Sequence, residues 1–135
     1  DSVNALSRLN GASWLTGSRL QPVEDGLGVR VRDDVLVPAF YHDCREDDVA
    51  LARARLVPQA ARVFADACPV RAGAHLQRSY VACEEDQAVH LVAQRAMARL
   101  GVGDPVVTLP TGHSPFFSAP GLLADALEAL AAARS

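Results

Sequence analysis

Two unbroken apolar runs, SYVAC at 79–83 and PVVTLP at 105–110, flank a segment of helical period, and this arrangement constrains the fold more than any other feature of the chain. Strands joined through a helix must run parallel, because a parallel pair needs a crossover too long for a hairpin. Apolar strands without alternation belong to sheets covered on both faces. The crossover carries Val89, Val92, Ala93, Ala96, Met97 and Leu100 at helical spacing, and Gly101 is expected to stop it. After the second run, Ser118 is expected as an N-cap with Pro120 in the first turn, and Leu122, Leu123, Ala126, Leu127 and Leu130 as the inward face. Strand, helix, strand, helix reads as α/β. A sheet stable on its own needs about three strands or more. Either a hairpin from the first half joins these two, or the sheet is completed by polypeptide outside this sequence.

The first half has a different grammar. Val3, Leu6 and Leu9, followed by Trp14 and Leu15, predict a short helix over 3–15. GLGVRVRDDVLVP alternates valine with arginine, turns at Asp33-Asp34 and resumes at Val35, which predicts a small hairpin closed by Pro38. Its arginines suit a half-exposed surface, which favours completion of the parallel sheet from elsewhere. REDDVALARARLVP has acids in its first turn and predicts a helix ended by Pro58, which itself opens another helix carrying Phe64 and Ala67. Residues 1–70 therefore read as a mainly helical region and residues 71–135 as the α/β part.

Composition excludes several functions. The net charge of −3 offers no basic field for phosphates, so no nucleic acid is expected. No apolar stretch reaches the roughly 18 residues of a membrane span, and the opening DSVNALSRLN lacks the regions of a signal peptide, so a cytoplasmic protein with no membrane contact is expected. All 13 basic residues are arginine, which removes lysine from every catalytic scheme. Cys44, Cys68 and Cys83 lack the paired short spacings of a zinc site, and Cys44 with His42 or Asp43 would crowd a tetrahedron into one tripeptide. Reduced thiols, no metal and no cofactor are the expectation.

The chemistry gathers at the strand ends. Asp86 follows the first run and His113, in LPTGHSPFFSAPGLL at 109–123, follows the second. Open α/β sheets bind ligands at that edge. An acid and then a histidine at successive strand ends can form the acid and base of a serine hydrolase, or Asp86 can cap a helix while His113 fills a loop. Spacing alone leaves both readings open. Phe116, Phe117, Trp14 and Tyr41 are candidates for an apolar substrate pocket, with Phe40 and Tyr41 also suited to packing. His42, His75 and His90 read as surface or locally bonded.

A resemblance then weighs on the choice. Residues 78–130 resemble the C-terminal part of the α/β-hydrolase family that contains plant methyl esterases, their bacterial esterase relatives and hydroxynitrile lyases. The similarity runs through Cys83 leading to Asp86, Gln94 on the next helix, and the Gly112 to Phe116 loop Gly-His-Ser-Pro-Phe. FYHDC at 40–44 and ARLVPQ at 54–59 resemble the helical lid of the bacterial esterase branch. The resemblance implies that Asp86 and His113 are the triad acid and base, and that residues 1–70 are lid. It also implies a serine on a Gly-x-Ser-x-Gly elbow that this chain lacks: Ser18 has no flanking glycines, Ser79 opens a strand, and Ser13 in GASWL has one glycine and no preceding strand. The nucleophile and oxyanion hole are therefore expected from an N-terminal half, on a separate chain or a missing segment, with a small ester as substrate. The lyases carry a lysine directly after the histidine, where this chain has Ser114. Ester hydrolysis leads, and a non-catalytic binding or lid subunit is the alternative from another class.

Overall fold

The computed structural model describes residues 19–23, 26–64, 76–101 and 106–133. The helix expected over 3–15, with Ser13 and Trp14, lies outside the described residues, as do Ser18, Ala67, Cys68 and His75.

The second half follows the apolar pattern. Strand β4 (Tyr80–Cys83) and strand β5 (Val106–Leu109) pair in parallel, Tyr80 opposite Val106 and Cys83 opposite Leu109. Helix α3 (Leu91–Gly101) makes the crossover, and Gly101 is its last residue rather than the first beyond it. The strands bury their C-terminal ends, where Ala82, Cys83 and Leu109 lie, whereas Val106 is exposed. The ladder continues past the strands: the Glu84 N–H donates to the Leu109 carbonyl at 2.8 Å and the Glu85 N–H to the Thr111 carbonyl at 3.0 Å.

The Ser-Pro pair opens a helical turn of its own, α4 (Pro115–Ser118), because the Phe117 and Ser118 amides both donate to the Ser114 carbonyl. Ser118 therefore ends that turn instead of capping the last helix, α5 (Pro120–Ala132), whose N-cap is Ala119 and whose first position is Pro120. Its buried stripe is narrower than expected. Ala126 and Leu130 are buried, while Leu122 and Leu127 are about half exposed.

The expected hairpin at 28–37 does not form. Strand β2 (Gly28–Val31) pairs instead with the earlier strand β1 (Leu20–Pro22), Leu20 opposite Val31 and Pro22 opposite Val29, through a turn in which Gly26 takes φ 67°. Asp33 and Asp34 open helix α1 (Asp33–Leu36), where acids suit the positive end of the helix dipole. Pro38 has no N–H for the ordinary helical bond, and the chain widens into a π-helical turn over Val37–Tyr41. This brings Leu36 and Tyr41, five residues apart, into one cluster with Ala52, while Val35 and Ala39 pack on Ala88 beneath the strand ends.

Helix α2 (Glu46–Arg55) forms as its acidic start and basic finish suggest. Beyond it, Gln59–Ala60 form the two-residue strand β3, which joins β2 antiparallel, and Ala61–Phe64 a 3-10 turn, so the helix expected after Pro58 does not start there, while its later part with Ala67 lies outside the described residues. The described part of the first half thus adds to its helices a three-stranded antiparallel sheet in the order β1-β2-β3, separate from the β4-β5 pair. Among the described residues no helix is long and apolar enough to cross a membrane.

Candidate active site

The parallel register sets the site. Because Cys83 and Leu109 are opposite one another, the loops that leave them run side by side, and Asp86 and His113 meet. The His113 Nδ1 lies 2.9 Å from Asp86 Oδ2 and 3.1 Å from Oδ1. Asp86 is buried, whereas a third of the His113 side chain is open to solvent. A carboxylate only accepts, so Nδ1 carries the proton in this contact and Nε2 takes no part in it.

Asp86 is fixed independently of the histidine. Its Oδ1 accepts the amides of Ala88 at 2.8 Å and Val89 at 2.9 Å, so the carboxylate also organises the turn before α3. The two roles weighed for it from sequence are therefore compatible in one side chain. Behind it stands Gln94, buried on the first turns of α3. Its Oε1 accepts the Cys83 N–H at 2.8 Å, and its Nε2 donates to the Cys83 carbonyl at 2.8 Å and the Val89 carbonyl at 2.7 Å. The amide thereby pairs with the edge of β4 as another strand would. Both Nε2 hydrogens are taken by those carbonyls, so the 3.4 Å approach to Asp86 Oδ2 is a weak third contact.

The π-helical turn and the segment after it reach the same place. The Phe40 ring meets the His113 imidazole edge-on with centroids 4.9 Å apart. The Gly112 N–H donates to Asp43 Oδ2 at 2.7 Å, and His42 Nε2 donates to the Glu85 carbonyl at 3.1 Å. A Cβ on Gly112 would lie 2.6 Å from Asp43 Oδ1 and 2.8 Å from His42 Nε2, so only glycine lets both side chains through. Burial pushes the Asp43 carboxyl up, but the Gly112 amide, the Ser118 hydroxyl, its own backbone and the nearby His42 outweigh that and hold it below the usual carboxylate range. Burial, reinforced by Asp43 and Asp48, pushes the Cys44 thiol up to about 11, and burial likewise raises Cys83. Both are poor nucleophiles. The Thr111 hydroxyl is buried beside Cys83 without a well-formed hydrogen bond among the described residues.

Of the other residues singled out from sequence, Tyr41 is buried in the cluster with Leu36 and Ala52, and Phe117 packs beside it with ring centroids 6.1 Å apart. Phe116 is more than half exposed and leans on Phe117. Trp14 lies outside the described residues. A cavity of about 540 Å³ opens between β2, α1 and the 56–59 segment, lined by Leu20, Val29, Leu36, Arg53 and Leu56, with Phe40 as the wall nearest His113. His42 lies at the surface, one of the two readings made for it, and its partner is the carbonyl of Glu85, 43 residues away. Phe40, His42 and Asp43 are the neighbours of Asp86 and His113 that sequence reasoning did not place there. The one available signal was their clustering in FYHDC. Among the described residues no group of His, Cys, Asp or Glu could hold a metal.

Similarity to known proteins agrees with this architecture. A pyrethroid hydrolase from Sphingobium wenxiniae is 29% identical over 113 residues, which cover 80% of this chain and 40% of that protein. The chain thus spans about two fifths of that curated relative. Among solved structures, polyneuridine aldehyde esterase, in a mutant form, superposes with a TM-score of 0.74 at 14% identity, covering 96% of this chain and 56% of the esterase. A methylesterase from Arabidopsis superposes with a TM-score of 0.68 at 24% identity, covering 89% and 51%. These likenesses show the fold. The sequence model described as the alpha/beta hydrolase family matches residues 3–126, and the chain belongs to that family.

Proposed function

We propose that this chain supplies the acid and base of a serine carboxylesterase acting on a small ester, with Asp86 as acid and His113 as base. The observation that carries the reading is the 2.9 Å contact between Asp86 Oδ2 and His113 Nδ1 at the C-terminal ends of two parallel strands. Similarity to a pyrethroid hydrolase and to a methylesterase supports ester hydrolysis as the reaction class.

The chemistry follows from the geometry. Asp86, fixed by two backbone amides, holds His113 with Nδ1 protonated, so Nε2 is a free base. A serine on a Gly-x-Ser-x-Gly elbow, from an N-terminal half outside this sequence, loses its proton to Nε2 as its Oγ bonds to the ester carbonyl carbon. The imidazolium, stabilised by Asp86, then gives that proton to the departing alcohol oxygen. Water repeats the sequence on the acyl-serine, and the acid is released. No cofactor or metal enters these steps. In this reading residues 1–70 are a lid, and the cavity walled by Phe40 receives the apolar part of the ester. Ser114 stands where the lyases of the family have lysine, which favours hydrolysis over cyanide chemistry.

The test is hydrolysis of a p-nitrophenyl ester by the hydrolase assembled from this chain and a Gly-x-Ser-x-Gly half. Asp86→Asn, which disfavours the Nδ1–H tautomer, is expected to lower kcat on the order of a thousandfold or more while the fold is kept. Activity within about tenfold of the wild type would refute the assignment.

A further inference from the structure

We infer that the His42–Asp43 pair is a positioning clamp that sets the distance between the loops carrying Asp86 and His113; the inference rests on the acid-and-base reading above. The backbone ladder between the two loops extends only as far as the bond from Glu85 to Thr111. The next residues on each side lead directly to the acid and base, and each is gripped from outside the sheet. His42 Nε2 holds the Glu85 carbonyl, one residue before Asp86, and Asp43 Oδ2 holds the Gly112 amide, one residue before His113. Adjacent side chains thus fix adjacent neighbours of the two reacting groups.

Two further features fit a device rather than an incidental contact. The clamp passes over Gly112 so closely that a methyl group there would overlap both side chains. The same segment places Phe40 against the His113 ring, so the imidazole is bounded by Asp86 at Nδ1 and by an aromatic edge. Neither His42 nor Asp43 reaches the reacting atoms of the proposed mechanism. They act through Glu85 and Gly112, and their effect is on where the imidazole sits.

The experiment is proton NMR of the full chain, following the low-field resonance of the His113 Nδ1–H and its exchange with water. Asp43→Ala is expected to speed that exchange about tenfold or more, as for loss of a hydrogen bond to a charged acceptor, and to release the Gly112 amide. Asp43→Asn keeps an oxygen for Gly112 and is expected to stay within about threefold of the wild type. His42→Ala, at an exposed position, is expected to speed exchange severalfold, and it carries the test if Asp43→Ala loses its circular dichroism spectrum. Exchange unchanged in the alanine variants, or equally fast in Asp43→Ala and Asp43→Asn, would overturn the clamp. Asp86→Asn separates the two readings: the resonance must vanish in it, and its survival would refute the Asp86 contact itself, not the clamp.

Discussion

Replacing Gln94 with leucine removes a polar group that no nearby side chain can replace. The amide is buried and pairs with the Cys83 N–H, the Cys83 carbonyl and the Val89 carbonyl at 2.7 to 2.8 Å. Leucine has nearly the same volume, so no cavity forms, but the three backbone groups lose their partner. Each buried polar group left unpaired costs about 1–3 kcal/mol. The two Cys83 groups are buried and count in full, whereas Val89 is partly open and water offsets part of its loss. Burying the leucine returns about 1.5–3 kcal/mol. The net expectation is a destabilisation of about 2–4 kcal/mol, a large share of the roughly 5–15 kcal/mol of an ordinary domain. Urea denaturation followed by far-ultraviolet circular dichroism reads it as a lower midpoint at unchanged slope. Gln94→Glu is expected to be at least as harmful near neutral pH, since it puts a charged acceptor in place of the donor that faces two carbonyls and Asp86. A leucine variant within about 1 kcal/mol of the wild type would refute the view that this side chain completes the edge of β4.

Gly112→Ala is expected to cost about 2–4 kcal/mol in the same assay, because a Cβ 2.6 Å from Asp43 Oδ1 overpacks the turn and breaks the bond to Asp43. Cys44, with its thiol at about 11 against an ordinary value of 9.0, is expected to react with iodoacetamide at pH 8 about a hundredfold more slowly in the folded chain than in urea; equal rates would contradict this. The Asp43 carboxyl has a lower pKa folded than unfolded, so its ionisation stabilises the fold fully above the ordinary carboxylate value and that stabilisation is lost as pH falls through the folded value. The stability gap between the wild type and Asp43→Asn should therefore be fully open at about pH 5 and close as the pH falls below about 4.

What the sequence revealed and what it concealed divide along the range of the interactions. The runs at 79–83 and 105–110 are apolar enough to specify strands locally, and the crossover helix between them has one consistent period. Placing Asp86 and His113 at one sheet edge needed only those elements and the rule for parallel connections. The segment at 33–41 misled for a physical reason: Val35, Leu36 and Val37 have strand propensity, but their neighbours Asp33 and Asp34 favour a helix start, and packing against Ala88 and Ala52 decides the outcome. Once that segment is helical, β2 needs another partner, which Leu20–Pro22 supplies. The grip of Asp43 on Gly112 spans 69 residues and has no local signature. The exposed Leu122 and Leu127 have the spacing of a buried stripe, yet burial depends on what covers a helix and not on its period alone.

The central claim is that Asp86 and His113 serve a serine from a Gly-x-Ser-x-Gly elbow, and the most direct measurement is fluorophosphonate labelling of the assembled hydrolase, read by mass spectrometry. The account predicts one adduct on the elbow serine, formed in the wild type and slowed on the order of a thousandfold in His113→Ala. An adduct on a serine of this chain, or labelling that is indifferent to His113, would contradict it.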